Sequence, residues 1–116
     1  MKGESSLQLC RQFHDSRKYS FDNVIGPSLA QEKMYEIVAM DVVEDVCSGF
    51  NGSILCYGQT GSGKTYTAFG GKAYWDAIHH SSQASPAAIA ASCGVVPRAT
   101  QHLFTYVASQ RKKYVD

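Results

Sequence analysis

Residues 58 to 65, Gly58-Gln59-Thr60-Gly61-Ser62-Gly63-Lys64-Thr65, satisfy G-x-x-x-x-G-K-[ST] at every fixed position. The chemistry that spacing allows is the holding of phosphate. Glycines keep side chains out of the way, so that consecutive backbone N–H groups can turn inward as an anion nest. A helix beginning near Lys64 would add the partial positive charge of its N-terminus. Lys64 would bridge the β- and γ-phosphates of a nucleotide, and the Thr65 hydroxyl would take one coordination position on Mg²⁺. The plainer alternative is a glycine-rich turn between strand and helix, carrying a solvated lysine.

Such a loop works only if a strand delivers it and a helix receives it. Ser53-Ile54-Leu55-Cys56-Tyr57 is a short apolar run without charge, which predicts a strand covered on both faces, as in a parallel α/β sheet. Upstream, Tyr19 to Ile25 is aromatic and β-branched and closes on Gly26-Pro27, which predicts a short strand and a turn. Residues 28–48 predict one amphipathic helix, with Tyr35, Val38, Val42 and Val46 on a common face. Ser28 and Gln31 have capping-box spacing at its start, and Gly49 suits the C′ position at its end. Residues 81–93, rich in Ala and Ser and interrupted by Pro86, predict a long surface loop or insertion. Pro97 then suits the first turn of a helix over residues 94–113.

Composition narrows the class. The chain has 116 residues, a formal charge of +1, 44% hydrophobic and 18% charged residues, which fits a folded piece of one domain. Near-neutrality argues against nucleic-acid binding driven by a basic field. No apolar run approaches the roughly 20 residues that span a bilayer, so no membrane association is expected. Cys10, Cys47, Cys56 and Cys93 are widely spaced and read as reduced, structural thiols. His79-His80 reads as a solvated pair, because adjacent side chains diverge. Arg111-Lys112-Lys113 reads as a solvated helix end, with contact to an acidic partner as the other reading.

The flanks of the phosphate loop carry more than the loop itself. Phe50-Asn51-Gly52, the apolar run, Tyr57-Gly58-Gln59-Thr60 and Lys64-Thr65-Tyr66-Thr67 together resemble the corresponding region of the kinesin motor domain. Further matches follow in the family's order: Phe21-Asp22-x-Val24, Gln31 with Tyr35, and Gly94-Val95-Val96-Pro97-Arg98. The resemblance runs from Phe21 to Phe104. It implies an α/β fold, a P-loop NTPase-type three-layer sandwich, of which these residues form an incomplete fragment. Residues 20–69 would hold strand, helix, loop strand and the start of the next helix. Residues 70–93 would be the family's variable loop, and 94–113 the helix's continuation.

By that resemblance the chain is the ATP-binding part of a microtubule motor ATPase. ATP or ADP would sit on Gly58, Gln59, Thr60, Gly61, Ser62, Gly63, Lys64 and Thr65, with Mg²⁺ on Thr65. Tyr66 would stack on the adenine, or else serve in ordinary helix packing. Tubulin would be the partner and the microtubule cytoskeleton in the cytoplasm the location. A dimer would form through segments outside this sequence. There are departures. No R-x-R-P segment is found, and Ala68 stands where the family has Met after T-x-T. The switch motifs N-x-x-S-S-R and D-x-x-G-x-E are not among these residues, and Tyr114-Val115-Asp116 only faintly imitates a Walker B strand. The expectation is nucleotide binding with poor hydrolysis and no catalytic residue. A short non-motile nucleotide- or partner-binding module, or a P-loop NTPase of another family, are the alternative readings.

Overall fold

The chain's structure, a computed structural model, describes residues 6–10, 16–80 and 84–113. Among the described residues, β-strands occur only near its start. Ser6–Cys10 (β1) and Ser16–Ser20 (β2) pair antiparallel, from Ser6 opposite Ser20 to Cys10 opposite Ser16. The strand expected over Tyr19 to Ile25 therefore survives only as Tyr19 and Ser20. The register ends at Ser20, and among the described residues nothing lies opposite the backbone beyond it.

The long helix expected over 28–48 is two helices, Gln31–Val38 (α1) and Met40–Cys47 (α2). They bend at Ala39, whose φ of −131° leaves the helical region. Hydrogen bonding carries through the bend: Ala39 N–H donates to the Tyr35 carbonyl at 2.9 Å, and Val43 N–H donates to the Ala39 carbonyl at 3.0 Å. The start also differs from expectation. Ala30 is the N-cap and offers no side-chain bond, so the Ser28/Gln31 capping box is not formed. At the other end Gly49 occupies C′ with φ +96°. Its N–H donates to the Val46 carbonyl and that of Phe50 to the Asp45 carbonyl, both at 3.0 Å, a complete Schellman closure.

After the loop come Lys64–Phe69 (α3), Lys72–His79 (α4), Pro86–Ser92 (α5) and Val95–Lys113 (α6). Residues 81–93, expected as a loop or insertion, thus carry helix α5. Pro86 is the cause rather than an interruption. It sits in the first turn of α5, behind an N-cap Ser85 whose Oγ accepts from Ala88 N–H at 3.2 Å, and a run of alanines follows. Pro97 likewise lies in the first turn of α6, where its missing N–H breaks no helical bond.

The ends of this helical excursion meet. Gly70 and Cys93 form an isolated antiparallel bridge, Gly71 N–H donates to the Ser92 carbonyl at 2.9 Å, and Gly94 N–H donates to the Phe69 carbonyl at 3.3 Å. The approach requires glycine. A Cβ on Gly94 would lie 2.6 Å from Gly70 N and 2.7 Å from the Ala68 carbonyl oxygen. The end of α3 is thereby fixed to the start of α6.

The core is small: Met34, Tyr35, Ala39 (1% exposed), Val43 and Val95, flanked by Met40, Cys47, Ala99 and Leu103. It lies where α1 and α2 pack on α6. The Tyr35 hydroxyl and His102 Nδ1 share a hydrogen bond of 3.0 Å at its edge.

Ser53–Tyr57 does not become a strand. Leu55 is 89% and Tyr57 95% exposed. A strand exists only through its ladder, and β1 and β2 pair with each other alone. The described residues therefore display a two-stranded hairpin and helices, not a layered sheet.

Candidate functional site

The segment 58–66 is shaped by its glycines. Gly58, Gly61 and Gly63 have φ of +157°, +80° and +92°, the last two deep in the region that side-chain-bearing residues avoid. A Cβ at Gly58 would lie 2.5 Å from Ser62 Oγ, so that hydroxyl would have to turn away to admit one. Gly63 is the N-cap of α3, so Lys64 and Thr65 open that helix. Ser62 N–H donates to the Gln59 carbonyl at 3.2 Å and tightens the turn between them.

Lys64 is folded over this loop. Its Nζ donates to the Gly58 carbonyl at 2.8 Å and to the Gln59 carbonyl at 2.6 Å. The ammonium therefore stands above the turn that would face an anion, with both of its acceptors neutral. A phosphate oxygen would add the attraction of opposite charges to what is now an ion–dipole bond. Helix α3 spans only six residues, so loop amides and Lys64, rather than a long helix dipole, make up the anion-binding capacity. Gln59, Thr60, Gly61, Ser62 and Thr65 are all exposed on or beside the loop.

Beside the loop runs a groove of about 800 Å³, lined by Ser62, Lys64 and Tyr66 together with Ile25, Pro27, Leu29 and Gln31. Tyr66 is 57% exposed, and its ring lies so close to Gly71 that a Cβ there would come within 3.1 Å of Cε2. The Tyr66 carbonyl accepts twice, from Gly70 N–H at 3.0 Å and from Gln31 Nε2 at 2.7 Å. Gln31 was read from its spacing as a helix cap. Its amide instead crosses to the loop helix, and no local sequence signal distinguishes the two uses.

Of residues 58–66, Ser62, Gly63, Lys64 and Tyr66 line this groove, together with Gln31. The glycine cradle and the cationic donor suit a polyphosphate, and the Thr65 hydroxyl suits Mg²⁺ as a single protein ligand. No group of three or more His, Cys, Asp or Glu residues capable of holding a metal occurs among the described residues. His79 is stacked on Trp75, with centroids 5.2 Å apart and planes 9° apart, and does not chelate with His80. Cys47, Cys56 and Cys93 are free thiols, and burial pushes the Cys93 thiol up from its ordinary pKa. No helix among the described residues is long and apolar enough to cross a membrane. Tyr114-Val115-Asp116 lies outside the described residues.

Residues 3–115 match the family model of the kinesin motor domain. The chain is 38% identical over 101 residues to the kinesin-like protein KIN-5C of Arabidopsis thaliana, covering 87% of this chain and 9% of that protein. It is 34% identical over 102 residues to the kinesin-like protein KIF15 of Strongylocentrotus purpuratus, covering 88% of this chain and 6% of that protein. Over all 116 residues it is 32% identical to the kinesin-like protein KIN-12C of Arabidopsis thaliana, 5% of whose length is covered. The chain therefore spans less than a tenth of the length of these curated relatives.

Proposed function

We propose, for a chain that belongs to the kinesin motor domain family, that residues 58–66 hold ATP or ADP as the nucleotide site of a microtubule motor. The observation that carries the reading is the complete G-x-x-x-x-G-K-T sequence, folded so that Gly61 and Gly63 adopt positive φ and Lys64 caps the turn. On binding, Lys64 exchanges the Gly58 and Gln59 carbonyls for β- and γ-phosphate oxygens, while loop amides of 59–65 face the same anion. The Thr65 hydroxyl would hold Mg²⁺, which would neutralise charge on the phosphates. Tyr66 offers its ring to the adenine along the groove.

Within the whole protein this site would drive microtubule-based movement on the cytoskeleton, with tubulin as partner. Ser53–Tyr57 would be the loop-bearing strand of a three-layer P-loop sandwich, and residues 70–93 the family's variable insertion. The exposure of Leu55 and Tyr57 supports that assignment, because a sheet strand of this composition requires cover. These 116 residues alone would bind nucleotide and turn it over slowly, since no Asp or Glu among the described residues lines the groove beside the loop.

The test is a titration of the full chain with fluorescent ATP in Mg²⁺, against Lys64→Ala. Loss of one charge-assisted contact should weaken binding roughly ten- to hundredfold. Equal affinity of the two proteins would refute the assignment of Lys64. Rapid microtubule-stimulated turnover by this chain would refute the expectation of slow hydrolysis.

A further inference from the structure

Gln31 is the one buried polar side chain among the described residues, at 5% exposure. Its Nε2 donates at 2.7 Å to the Tyr66 carbonyl, 35 positions along the chain, while its Oε1 is buried and accepts from nothing. A buried acceptor left unpaired is destabilising. The Tyr66 carbonyl, for its part, already has Gly70 N–H as a donor. Neither end of this bond is explained by satisfying the backbone, and an apolar side chain of equal length would avoid the orphaned oxygen. What the bond does accomplish is placement. It fixes Tyr66, on the phosphate-loop helix α3, to the first residue of α1, and both residues line the groove beside Lys64.

We propose that Gln31 is a positioning residue for the nucleobase: through the Tyr66 carbonyl it sets where the Tyr66 ring stands along the groove. The inference rests on the nucleotide reading of residues 58–66. It divides the site in two. The phosphates depend on the loop and Lys64, and the base depends on Tyr66 as held by Gln31.

The division can be measured on the full chain by calorimetric titration with ATP and, separately, with inorganic tripolyphosphate. Gln31→Met keeps the length and removes both polar atoms, so helix content by circular dichroism should be retained. The ratio of ATP to tripolyphosphate affinity should fall roughly three- to tenfold, the worth of one hydrogen bond, with tripolyphosphate binding unchanged. In a Tyr66→Ala background the same substitution should leave the ratio unaltered. An unchanged ratio in the Tyr66 protein overturns the inference. So does an equal weakening of both ligands, which would make Gln31 a merely structural residue. If the wild-type chain binds neither ligand, the nucleotide reading itself fails. Should Gln31→Met lose helix content, Gln31→Asn carries the same test, because its amide is one methylene too short to reach Tyr66.

Discussion

Gly94→Ala is the substitution that most directly tests how the phosphate loop is anchored. The added methyl would lie 2.6 Å from Gly70 N and 2.7 Å from both the Ala68 carbonyl oxygen and the Phe69 carbonyl carbon. All three are backbone atoms, so no rotamer change relieves the contact. The two chains must separate, and two hydrogen bonds go with them, Gly71 N–H to Ser92 and Gly94 N–H to Phe69. Steric displacement in a packed site costs about 1–3 kcal/mol, and the two bonds add about 0.5 kcal/mol each, the low end of the usual range. The expected loss is about 2–4 kcal/mol, a large share of the 5–15 kcal/mol typical of a whole domain. Urea unfolding followed by circular dichroism measures it. Gly26→Ala is the control, since nothing lies within 4 Å of a Cβ there, and it should change stability by no more than about 0.5 kcal/mol. If Gly94→Ala fell within the control's range, the bridge would not be holding α3 to α6, and the placement of the loop would need another cause.

Gly49→Ala should cost about 1–2 kcal/mol in the same assay, entirely from its φ of +96°, because no atom lies within 4 Å of the new methyl. Ser85→Ala should cost about 1 kcal/mol by removing the α5 cap, and should lower helix content by circular dichroism. Burial raises the Tyr35 hydroxyl above its ordinary 10.0 and the Cys93 thiol above its ordinary 9.0. Both folded values exceed the unfolded ones, so their stabilisation is complete below about pH 9 and is lost as pH rises through the raised values. Melting temperature should therefore decline at alkaline pH, and Tyr35→Phe should flatten that decline; an identical slope in the two proteins would refute the assignment to Tyr35.

Much of the site is local, and local features were legible. The glycine and lysine spacing of 58–65 dictates a tight turn whatever surrounds it, and Gly49 dictates a left-handed helix end. What the sequence did not disclose depends on distant partners. Ser53–Tyr57 reads as a covered strand because its side chains are apolar, yet a strand is a property of two chains, and β1 is occupied by β2. Pro86 was misread for the opposite reason. A proline interrupts a helix only from inside it, and the preceding Ser85 with the following alanines marked a start. Gln31 had two competing local and long-range partners, and only the fold decides between Ser28 and Tyr66.

Two tethers hold the helix that follows the phosphate loop. Gln31 holds the Tyr66 carbonyl to α1, and the Gly70–Gly94 junction holds the end of α3 to α6. Helices α1 and α6 meet in the one buried cluster, so the loop inherits its position from the core through two short paths. The segment from Gly71 to Ser92 leaves and returns at a single point. Its ends are closed by the bridge whatever its length, and the entropy of closing a longer segment grows only logarithmically. Changes inside α4 and α5 should therefore leave Lys64 in place, whereas a single methyl at Gly94 should move it.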